Sequence, residues 1–427
     1  MPTRPIASVL TLGCKLNLAD SEEIARGLRT AGYDVVDHLC EAQAVVINTC
    51  SVTHVADAKS RRLIRSVRRT SPGAAVAVTG CFPQSAGFET ARELGADFVT
   101  GMRDTDKAAL LAFFGSTPPL DARIAEGNHG LHVRAFIKAQ EGCNDVCAFC
   151  IVPRTRGREA SRGIEAVCTE IDRAVAEGRQ EAVITGTQLG AWGRDFEPAL
   201  EPHHLIAAIL ARTEIARVRF SSLQPQDITP DLLGLWSDPR LMPHFHLALQ
   251  SGSDAVLTAM RRRYTAADFL RAAERIRAAV PGVAITTDVI AGFPGESENE
   301  FEATLALCQE AAFARIHAFP YSQRSRTAAV RLPGQVELPV RRKRVARLIA
   351  LGAELSLAFR TQQSGTVRPV LWESEREFEG VRAWFGHTDN YLPVLMSGEK
   401  LRNRITPVRL GELCALGVRG LPLGDAA

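Results

Sequence analysis

Residues 141–150 read EGCNDVCAFC, and the spacing of the three cysteines in this stretch decides how the middle of the chain is interpreted. Three residues separate Cys143 from Cys147, two separate Cys147 from Cys150, and no fourth cysteine follows nearby. An iron–sulfur cube has four iron corners and is usually held by four thiolates. Three thiolates would leave one iron with an open coordination position, as a catalytic zinc site keeps one position open.

The cysteine loop follows an apolar run at 132–140 that predicts a β-strand. Helical stretches separate further runs of the same kind, at 181–186, 216–222, 244–251, 283–292 and 314–322. Six strand–helix units predict a parallel sheet curled into an open (βα)6 barrel, a partial version of the eight-fold TIM barrel. The loop would then lie at the carboxyl end of the first strand, which is the functional face of such barrels.

A second set of cysteines marks the N-terminal part of the chain. Cys14, Cys50 and Cys81 each follow a short apolar run and lie 36 and 31 residues apart, the length of a βαβ unit. Because the carboxyl ends of parallel strands meet at one edge of a sheet, we expect the three thiols to converge there. Taken singly, each could equally be a buried core thiol.

The remaining sequence predicts the domain organisation. The Pro/Gly-containing stretch at 115–130 is typical of a linker. After a charged helix at 340–365, short alternating segments predict a small all-β barrel of OB-like type. We therefore expect an α/β protein with a parallel-sheet α/β domain at 1–118, the partial barrel at 130–358 and the β-barrel at 362–427.

Composition narrows the class of protein. The 427 residues are 46% hydrophobic and 23% charged, with a net charge of only +3. The profile is that of a soluble globular protein, and no membrane span is expected. We predict a cytoplasmic protein, in which ten cysteines would be metal ligands or core thiols rather than disulfides. Two basic runs, at 59–69 and 341–344, could contact phosphates or form solvated helix faces.

The cysteine loop, with Phe149 before its last cysteine, resembles the signature of the radical S-adenosylmethionine superfamily. The resemblance implies a [4Fe-4S] cluster on Cys143, Cys147 and Cys150 whose open iron binds S-adenosylmethionine and cleaves it reductively to a 5′-deoxyadenosyl radical. Strand ends facing that cluster would supply the cofactor contacts, which we assign to Gly186, Thr187, Gln188, Ser222, Gln250, Asp288 and Ile290. The glycine could instead merely end a strand, and Asp288 could pair only with an arginine or a helix terminus.

Segments at 12–17 (LGCKLN), 48–53 (NTCSVT), 56–62 (ADAKSRR) and 78–84 (VTGCFPQ) resemble the N-terminal domain of the methylthiotransferases. Further matches lie at 156–162, 184–190, 249–257, 287–296 and 319–322, so the resemblance runs from end to end and includes a C-terminal barrel of the TRAM kind. It implies a second [4Fe-4S] cluster on Cys14, Cys50 and Cys81, where sulfur is held and methylated. The other cysteines are interpreted as core residues, namely Cys40, Cys168, Cys308 and Cys414.

Members of this family modify adenosine 37 of tRNA or a ribosomal protein side chain. The segments at 12–17, 48–53 and 386–392 (GHTDNYL) most resemble the branch that acts on N6-threonylcarbamoyladenosine. This implies methylthiolation at C2 of that base, a tRNA anticodon loop as partner, and an electron donor such as flavodoxin or ferredoxin; the sulfur source stays open. Four residues of the last segment could touch the RNA: His387, Asp389, Asn390 and Tyr391, the last of which could equally be core.

Some positions depart from the family pattern, namely Arg154, Gln224, Gln323 and Arg326. Three other functions stay open at this point. The same chemistry could act on isopentenyladenosine 37 or on a ribosomal protein, or the chain could be a non-catalytic RNA-binding protein whose cysteines hold zinc.

Overall fold

The computed structural model of the chain describes residues 4–115 and 131–423. Residues 116–130 of the predicted linker lie outside this description. Among the described helices, none combines the length and the apolar character that crossing a bilayer requires.

The N-terminal unit is a parallel sheet flanked by helices. Its strands are β1 (Ile6–Thr11), β2 (Asp34–Val36), β3 (Ala44–Thr49), β4 (Ala75–Gly80) and β5 (Phe98–Val99). Its helices are α1 (Lys15–Thr30), α2 (His54–Thr70), α3 (Cys81–Ala86), α4 (Phe88–Glu93) and α5 (Asp104–Phe113). The spatial order is β2-β1-β3-β4-β5, with every pairing parallel.

The central strands of this sheet are apolar because helices cover both of their faces. All six residues of β3 are buried, and Val45 and Ile47 pack with Ile64 and Val67 of α2. The N-terminus of α2 is capped by Thr53, whose hydroxyl accepts a hydrogen bond from the backbone N–H of Ala56 at 3.1 Å. Because β1, β3 and β4 are parallel neighbours, their carboxyl ends lie side by side at one edge of the sheet.

The central unit contains β6 (Ala135–Lys138), β7 (Gln140–Glu141), β8 (Ala160–Ser161), β9 (Glu181–Thr185), β10 (Arg217–Phe220), β11 (Ser222–Leu223), β12 (His244–Leu247), β13 (Ala284–Ala291) and β14 (Arg315–Pro320). Its helices are α6 (Val152–Thr155), α7 (Ile164–Ala176), α8 (Pro202–Arg212), α9 (Pro230–Gly234), α10 (Asp254–Ala259), α11 (Ala266–Ala279), α12 (Glu298–Glu310) and α13 (Leu338–Gln363).

The long strands of this unit form an open parallel barrel. β6, β9 and β10 pair in that order, and β11, β12, β13 and β14 continue the series. β10 and β11 are two halves of one bent segment, so six parallel positions result, as predicted. Strand residues alternate between a hydrophobic core beneath the helices and the lumen of the barrel.

The last unit is a closed barrel of β15 (Val367–Phe378), β16 (Val381–Thr388), β17 (Pro393–Met396), β18 (Ile405–Cys414) and β19 (Gly417–Pro422). The strands close in the order β15-β16-β17-β19-β18 around a small core that includes Trp372 and Trp384. The predicted fold class is confirmed in all three parts.

The N-terminal unit packs against the open barrel through α1. Leu18 and Ala19 of this helix contact Phe136 of β6 and Val183 of β9, which face the lumen. The edge of the N-terminal sheet that carries the cysteines is thereby held beside the carboxyl ends of the barrel strands.

Candidate active site

A buried glutamine, Gln140, fixes the backbone at the start of the cysteine loop. The side-chain amide of Gln140 donates to the backbone oxygen of Gly142 at 2.8 Å and accepts from the backbone N–H of Gln188 at 2.9 Å. Gly142 has a φ of +70°, and a Cβ there would lie 1.9 Å from the backbone oxygen of Arg158. Only glycine fits this position, which directs the chain into the loop.

The three thiols of the loop lie close enough to influence one another. Burial, together with the charge of Cys147, raises the pKa of Cys143 to about 11 and that of Cys150 to about 12. The thiol of Cys143 donates to the side-chain oxygen of Gln188 at 3.1 Å, and Arg262 donates to the sulfur of Cys147 at 3.4 Å. A metal displaces the protons of such thiols, and the resulting soft thiolates suit an iron–sulfur cluster.

Polar atoms without partners lie on Gln188, which accepts a hydrogen bond from Cys143, and just after β9 and β10. The hydroxyl of Thr187, the amide nitrogen of Gln188 and the hydroxyl of Ser221 are buried and make no hydrogen bond within the described residues. Buried polar groups are normally paired, so unpaired ones beside a cysteine loop fit a polar cofactor that completes them. The residue with the unpaired hydroxyl is Ser221, rather than the predicted Ser222.

The remaining predicted cofactor contacts lie on two neighbouring strand ends. The backbone N–H of Gln250, at a φ of +66°, donates to the oxygen of Asp288, and the N–H of Ile290 donates to the oxygen of Gln250, both at 2.9 Å. Ile290 also packs in a small cluster with Phe149. Gly186, the other predicted cofactor contact, packs against protein, since a Cβ at this position would lie 3.0 Å from the side chain of Gln140.

Cys14, Cys50 and Cys81 converge at the edge of the N-terminal sheet. Cys50 and Cys81 are buried and Cys14 is exposed. Burial raises the pKa of Cys50 to about 11, and the nearby charges of Cys81 and Cys14 contribute in the same direction. Across both described stretches, no three His, Cys, Asp or Glu side chains surround a position for a single metal ion. A cube differs in that each thiolate binds its own iron corner, so its ligands need not meet at one point.

A buried arginine joins the two sets of cysteines. Arg156 lies just after α6, which follows Cys150, and its guanidinium donates to Glu141 at 2.5 Å, to Asn17 at 2.6 Å and to Asp20 at 3.3 Å. Burial alone would lower the pKa of Arg156, but the charges of Cys81 and Asp20 raise it. Burial raises the pKa of the Cys81 thiol, and the charge of the Arg156 guanidinium acts in the opposite direction. Asp20 is fully buried and also accepts from Lys138 at 2.8 Å. The guanidinium is thus a fixed positive charge near Cys81 that lies six residues after Cys150 in the chain, and so links the two cysteine sets.

A second arginine links the segment after β14 to the N-terminal unit. Arg324 follows β14 and donates to Asp57 at 2.6 Å, to Ser51 at 2.8 Å and to Ser85 at 3.0 Å. Between the N-terminal sheet and the end of β14 lies a cavity of about 1030 Å³, whose walls include Cys50 and Phe319. Cys50 therefore faces this cavity beside the end of β14.

The two basic runs separate into structural and exposed residues. In α2, Arg61 lies over the ring of Phe82 and Arg68 pairs with Asp97, which leaves one exposed basic face made of Lys59, Arg62, Arg65 and Arg69. In α13, Arg341 and Arg344 are buried and bonded to the barrel, whereas Arg342 and Lys343 are exposed.

The segment at 386–392 does not lie on an open surface. His387 is 2.6 Å from Glu373, and Tyr391 stacks on His387 and accepts from Arg134 at 2.9 Å. Asn390 is buried and donates to the backbone oxygen of Gly282 at 3.1 Å. The suggestion that these residues touch RNA is therefore corrected. They dock the small barrel onto the amino-terminal ends of the strands of the large one.

The sequence predictions missed Gln140, Arg156, Arg262 and Lys15. Arg156 opens the segment at 156–162 that carried part of the family resemblance, so a signal existed, whereas the partners of Arg262 could not be anticipated. Lys15 begins α1, and the charges of Arg219, Arg134, Glu181 and Asp288 act on its ammonium. Burial and the two arginines lower the pKa of Lys15 to about 8. Of the predicted core cysteines, Cys168 and Cys308 lie in the large barrel core.

Two of the departures from the family pattern, Gln224 and Gln323, lie close to the site. Gln224 donates to Asp145 of the cysteine loop at 3.3 Å, so an amide there supports the loop without a second charge. Gln323 donates to Gln335 at 2.9 Å on the rim of the cavity.

Comparisons with known proteins agree with this geometry. The model of the Radical SAM superfamily matches residues 137–308, and that of "Uncharacterized protein family UPF0004" matches residues 7–101. The structure of the radical S-adenosylmethionine methyltransferase TsrM from Kitasatospora setae shares the fold at a TM-score of 0.55, with 13% identity over 77% of this chain and 74% of that one. Fold and site thus define a radical S-adenosylmethionine enzyme, whose superfamily carries a [4Fe-4S] cluster and S-adenosylmethionine.

Sequence relatives narrow the class further. The threonylcarbamoyladenosine tRNA methylthiotransferase MtaB of Bacillus subtilis is 36% identical over 94% of this chain and 92% of its own length. MtaB of Thermotoga maritima is 34% identical over 85% of each chain. The tRNA-2-methylthio-N(6)-dimethylallyladenosine synthase of Syntrophobacter fumaroxidans is 32% identical over 96% of this chain and 94% of its own. The chain belongs to the radical S-adenosylmethionine methylthiotransferase family, as the sequence motifs predicted.

Proposed function

We propose that this enzyme places a methylthio group at C2 of N6-threonylcarbamoyladenosine 37 in the anticodon loop of tRNA. The observation that carries the proposal is the convergence of two cysteine triplets on either side of Arg156 and α6, a helix of four residues or about 6 Å. Such proximity lets sulfur held at one triplet meet a substrate activated at the other.

We assign the cofactors to the two triplets separately. Cys143, Cys147 and Cys150 hold the cluster that binds S-adenosylmethionine, with Thr187, Gln188 and Ser221 completing their hydrogen bonds on the cofactor. Cys14, Cys50 and Cys81 hold a second [4Fe-4S] cluster, and Cys14, the exposed member, faces the incoming sulfur species. When bound, these groups supply the one-electron chemistry that breaks an unactivated C–H bond. The chain positions both sites and shields them from water.

The threonylcarbamoyl base is favoured by two relatives whose names specify it, from Bacillus subtilis and Thermotoga maritima. Relatives named for dimethylallyladenosine reach 35% identity, between the 36% and 34% of these two, so the isopentenyl base is the second candidate. An unpaired base of the anticodon loop can be splayed into the cavity of about 1030 Å³. The exposed basic face of α2 beside it offers phosphate contacts.

The other partners follow from the chemistry. A cluster that must be reduced requires a small electron-transfer protein such as flavodoxin or ferredoxin, and such a reaction belongs in the cytoplasm. Each of the three units has its own part: sulfur binding at 1–118, radical formation at 130–358 and support of RNA binding at 362–427.

Nucleoside mass spectrometry tests the substrate. A strain that lacks this gene is expected to lose the methylthio derivative of threonylcarbamoyladenosine and to accumulate the unmethylthiolated base, and the wild-type gene is expected to restore it. If the derivative is still made in full and no second enzyme of this family is present, the substrate assignment is wrong. Loss of the isopentenyl derivative instead would support the second candidate.

Metal analysis tests the cofactors. Protein reconstituted without oxygen is expected to be brown and to hold about eight irons per chain if both sites are filled. A colourless protein that binds zinc and no iron under these conditions would support a non-catalytic role.

A further inference from the structure

The first two helices of the N-terminal unit pack on opposite faces of its sheet. Ile24 of α1 shares a hydrophobic cluster with Val46 of β3, whereas Ile64 of α2 shares a different cluster with Ile47 of the same strand. Because neighbouring residues of a strand point to opposite faces, the two helices lie on either side of the sheet. The barrel therefore has two separate sides of the unit to which it can be attached.

The barrel is bonded to the unit on both of these sides. On the side of α1, Arg156 donates to Asn17 at 2.6 Å. On the side of α2, the contact comes from the connection between β14 and α13, where the hydroxyl of Ser322 accepts from the backbone N–H of His54 at 3.1 Å. A body attached on one side alone is free to rotate about that attachment, whereas attachment on two sides fixes its orientation.

Arg324, in the same connection, makes the most extensive contact on the side of α2. Its side chain is buried, and its guanidinium donates to Asp57, Ser51 and Ser85 at distances from 2.6 to 3.0 Å. Asp57 also accepts from the hydroxyl of Ser51 at 2.6 Å, so the four side chains form one network. Hydrogen bonds between ionised groups are the strong ones in proteins, and a network of this kind holds its members in a single geometry.

The partners of Arg324 lie beside two of the N-terminal cysteines. Ser51 follows Cys50 directly, and Ser85 lies in α3, the helix that begins at Cys81. Within residues 4–115 and 131–423, the side chain of Arg324 makes no hydrogen bond to the loop at 143–150. One arginine of the barrel thus fixes the turns that carry two N-terminal thiols and leaves the other cysteine set to its own supports.

We propose that Arg324 is a positioning residue that holds the N-terminal cysteines in a fixed place relative to the loop at 143–150. The consequence for the reaction rests on the proposed function, since delivery of sulfur to the base needs both cysteine sets. Cleavage of S-adenosylmethionine needs the loop alone. Loss of the Arg324 guanidinium is therefore expected to leave cleavage intact and to separate it from methylthiolation.

Thiol reactivity in the metal-free protein tests the position without any cluster. Cys50 and Cys81 are buried, so iodoacetamide is expected to alkylate them slowly in the wild-type protein. Arg324→Met keeps the length of the side chain and removes its charge. It is expected to raise the alkylation rates of both thiols about tenfold to a hundredfold, the range of a lost hydrogen bond to a charged group. Cys168, in the core of the barrel, is expected to keep its wild-type rate.

Two further variants complete this experiment. Arg331→Met is the matched control, because Arg331 is an exposed arginine of the same connection, and it is expected to leave every rate unchanged. Arg324→Lys keeps the charge without the planar fork and is expected to give intermediate rates at Cys50 and Cys81. Wild-type rates at these two thiols in Arg324→Met would overturn the inference. An equal rise at Cys168 would overturn it as well, since Arg324 would then stabilise the whole fold.

Pulsed EPR of the reconstituted protein measures the distance between the two reduced clusters. A narrow distribution is expected for the wild-type protein and a broader one for Arg324→Met at the same iron content. In turnover, Arg324→Met is expected to cleave S-adenosylmethionine at the wild-type rate and to form product about a hundredfold more slowly, the effect of a displacement of about 1 Å. An unchanged distribution together with an unchanged yield of product per cleavage would contradict the role of Arg324.

The failure of the proposed function gives a different result. Wild-type protein that takes up only about four irons contradicts the second cluster, and the alkylation rates of the metal-free protein still decide whether Arg324 holds the N-terminal turns. Wild-type protein with about eight irons and Arg324→Met protein with wild-type alkylation rates contradict the role of Arg324 alone.

Discussion

Replacement of Gly80 by alanine tests how the N-terminal cysteines are held together. Gly80 ends β4 directly before Cys81 and has a φ of +99°. A Cβ at this position would lie 2.2 Å from the backbone oxygen of Thr49 and 2.5 Å from its nitrogen, where ordinary contacts begin near 3.4 Å. Because β3 and β4 pair in register at Thr49, the two strands would have to separate locally by about 1 Å.

The expected cost has two parts. A non-glycine residue at this φ costs about 1–3 kcal/mol of backbone strain. Overpacking against an immovable backbone costs about 1–3 kcal/mol more. The Gly80→Ala protein should therefore lose about 2–6 kcal/mol of unfolding free energy and, more importantly, should displace Cys81 from Cys50 and Cys14. It is expected to hold about four irons instead of about eight, since only the N-terminal cluster is lost.

Gly87 provides the matched control. It also has a φ of +99°, but the nearest atom to a Cβ there is the hydroxyl of Thr90 at 3.9 Å. Gly87→Ala should carry the conformational cost of about 1–3 kcal/mol without the clash. It is expected to keep both clusters.

The assays are iron and sulfide content with EPR after anaerobic reconstitution, urea unfolding of the metal-free proteins, and cleavage of S-adenosylmethionine without RNA. Gly80→Ala should retain cleavage, because the loop at 143–150 is untouched. Equal iron content in the two alanine variants would refute the geometric argument. Loss of cleavage by Gly80→Ala with an intact N-terminal cluster would refute the assignment of the two sites.

Three further predictions follow from the charges and thiols. Cys143→Ala should abolish cleavage of S-adenosylmethionine and retain about four irons, whereas Cys14→Ala should retain cleavage. Equal loss of cleavage in the two variants would contradict the assignment of cleavage to the loop at 143–150. Asp20→Ala should lower the unfolding free energy of the metal-free protein in urea by about 3–5 kcal/mol, because it leaves buried cations without their counter-charge. Asp172→Ala, at an exposed aspartate, should cost under about 1 kcal/mol. Similar losses in the two variants would contradict the role of Asp20 as a buried counter-charge. Burial alone would raise the pKa of Glu181, but Arg219 lowers it from 4.5 to about 2. Its stabilisation is therefore present above pH 4.5 and lost toward pH 2, and Glu181→Gln should flatten that part of the pH–stability curve of the metal-free protein; an unchanged slope would contradict the ion pair.

Local patterns were sufficient to predict the fold. Buried strands such as β3 are visible in the sequence as apolar runs rich in β-branched residues. The order of the predicted strands and helices along the chain indicates the three-unit architecture. Element ends were less accurate. β1 ends at Thr11, so Cys14 lies in the turn to α1 rather than at the strand end itself.

Charged residues were predicted less well, because sequence does not show which of them will be buried. The basic run at 341–344 has the same character throughout, yet Arg344 is buried against Glu296 while Lys343 is exposed. The partner of each charge lies dozens of residues away, and helical periodicity cannot reveal it.

The sequence by itself determined the class of chemistry, because the spacing of Cys143, Cys147 and Cys150 is a local property of a loop. Only the tertiary structure decided how the two cysteine sets are joined. Arg156 meets Asn17 across 139 positions of sequence, and Ala19 of α1 packs against Phe136 and Val183 of the barrel strands. Contacts of this range depend on the packing of whole units against one another, and a reading along the chain cannot specify them.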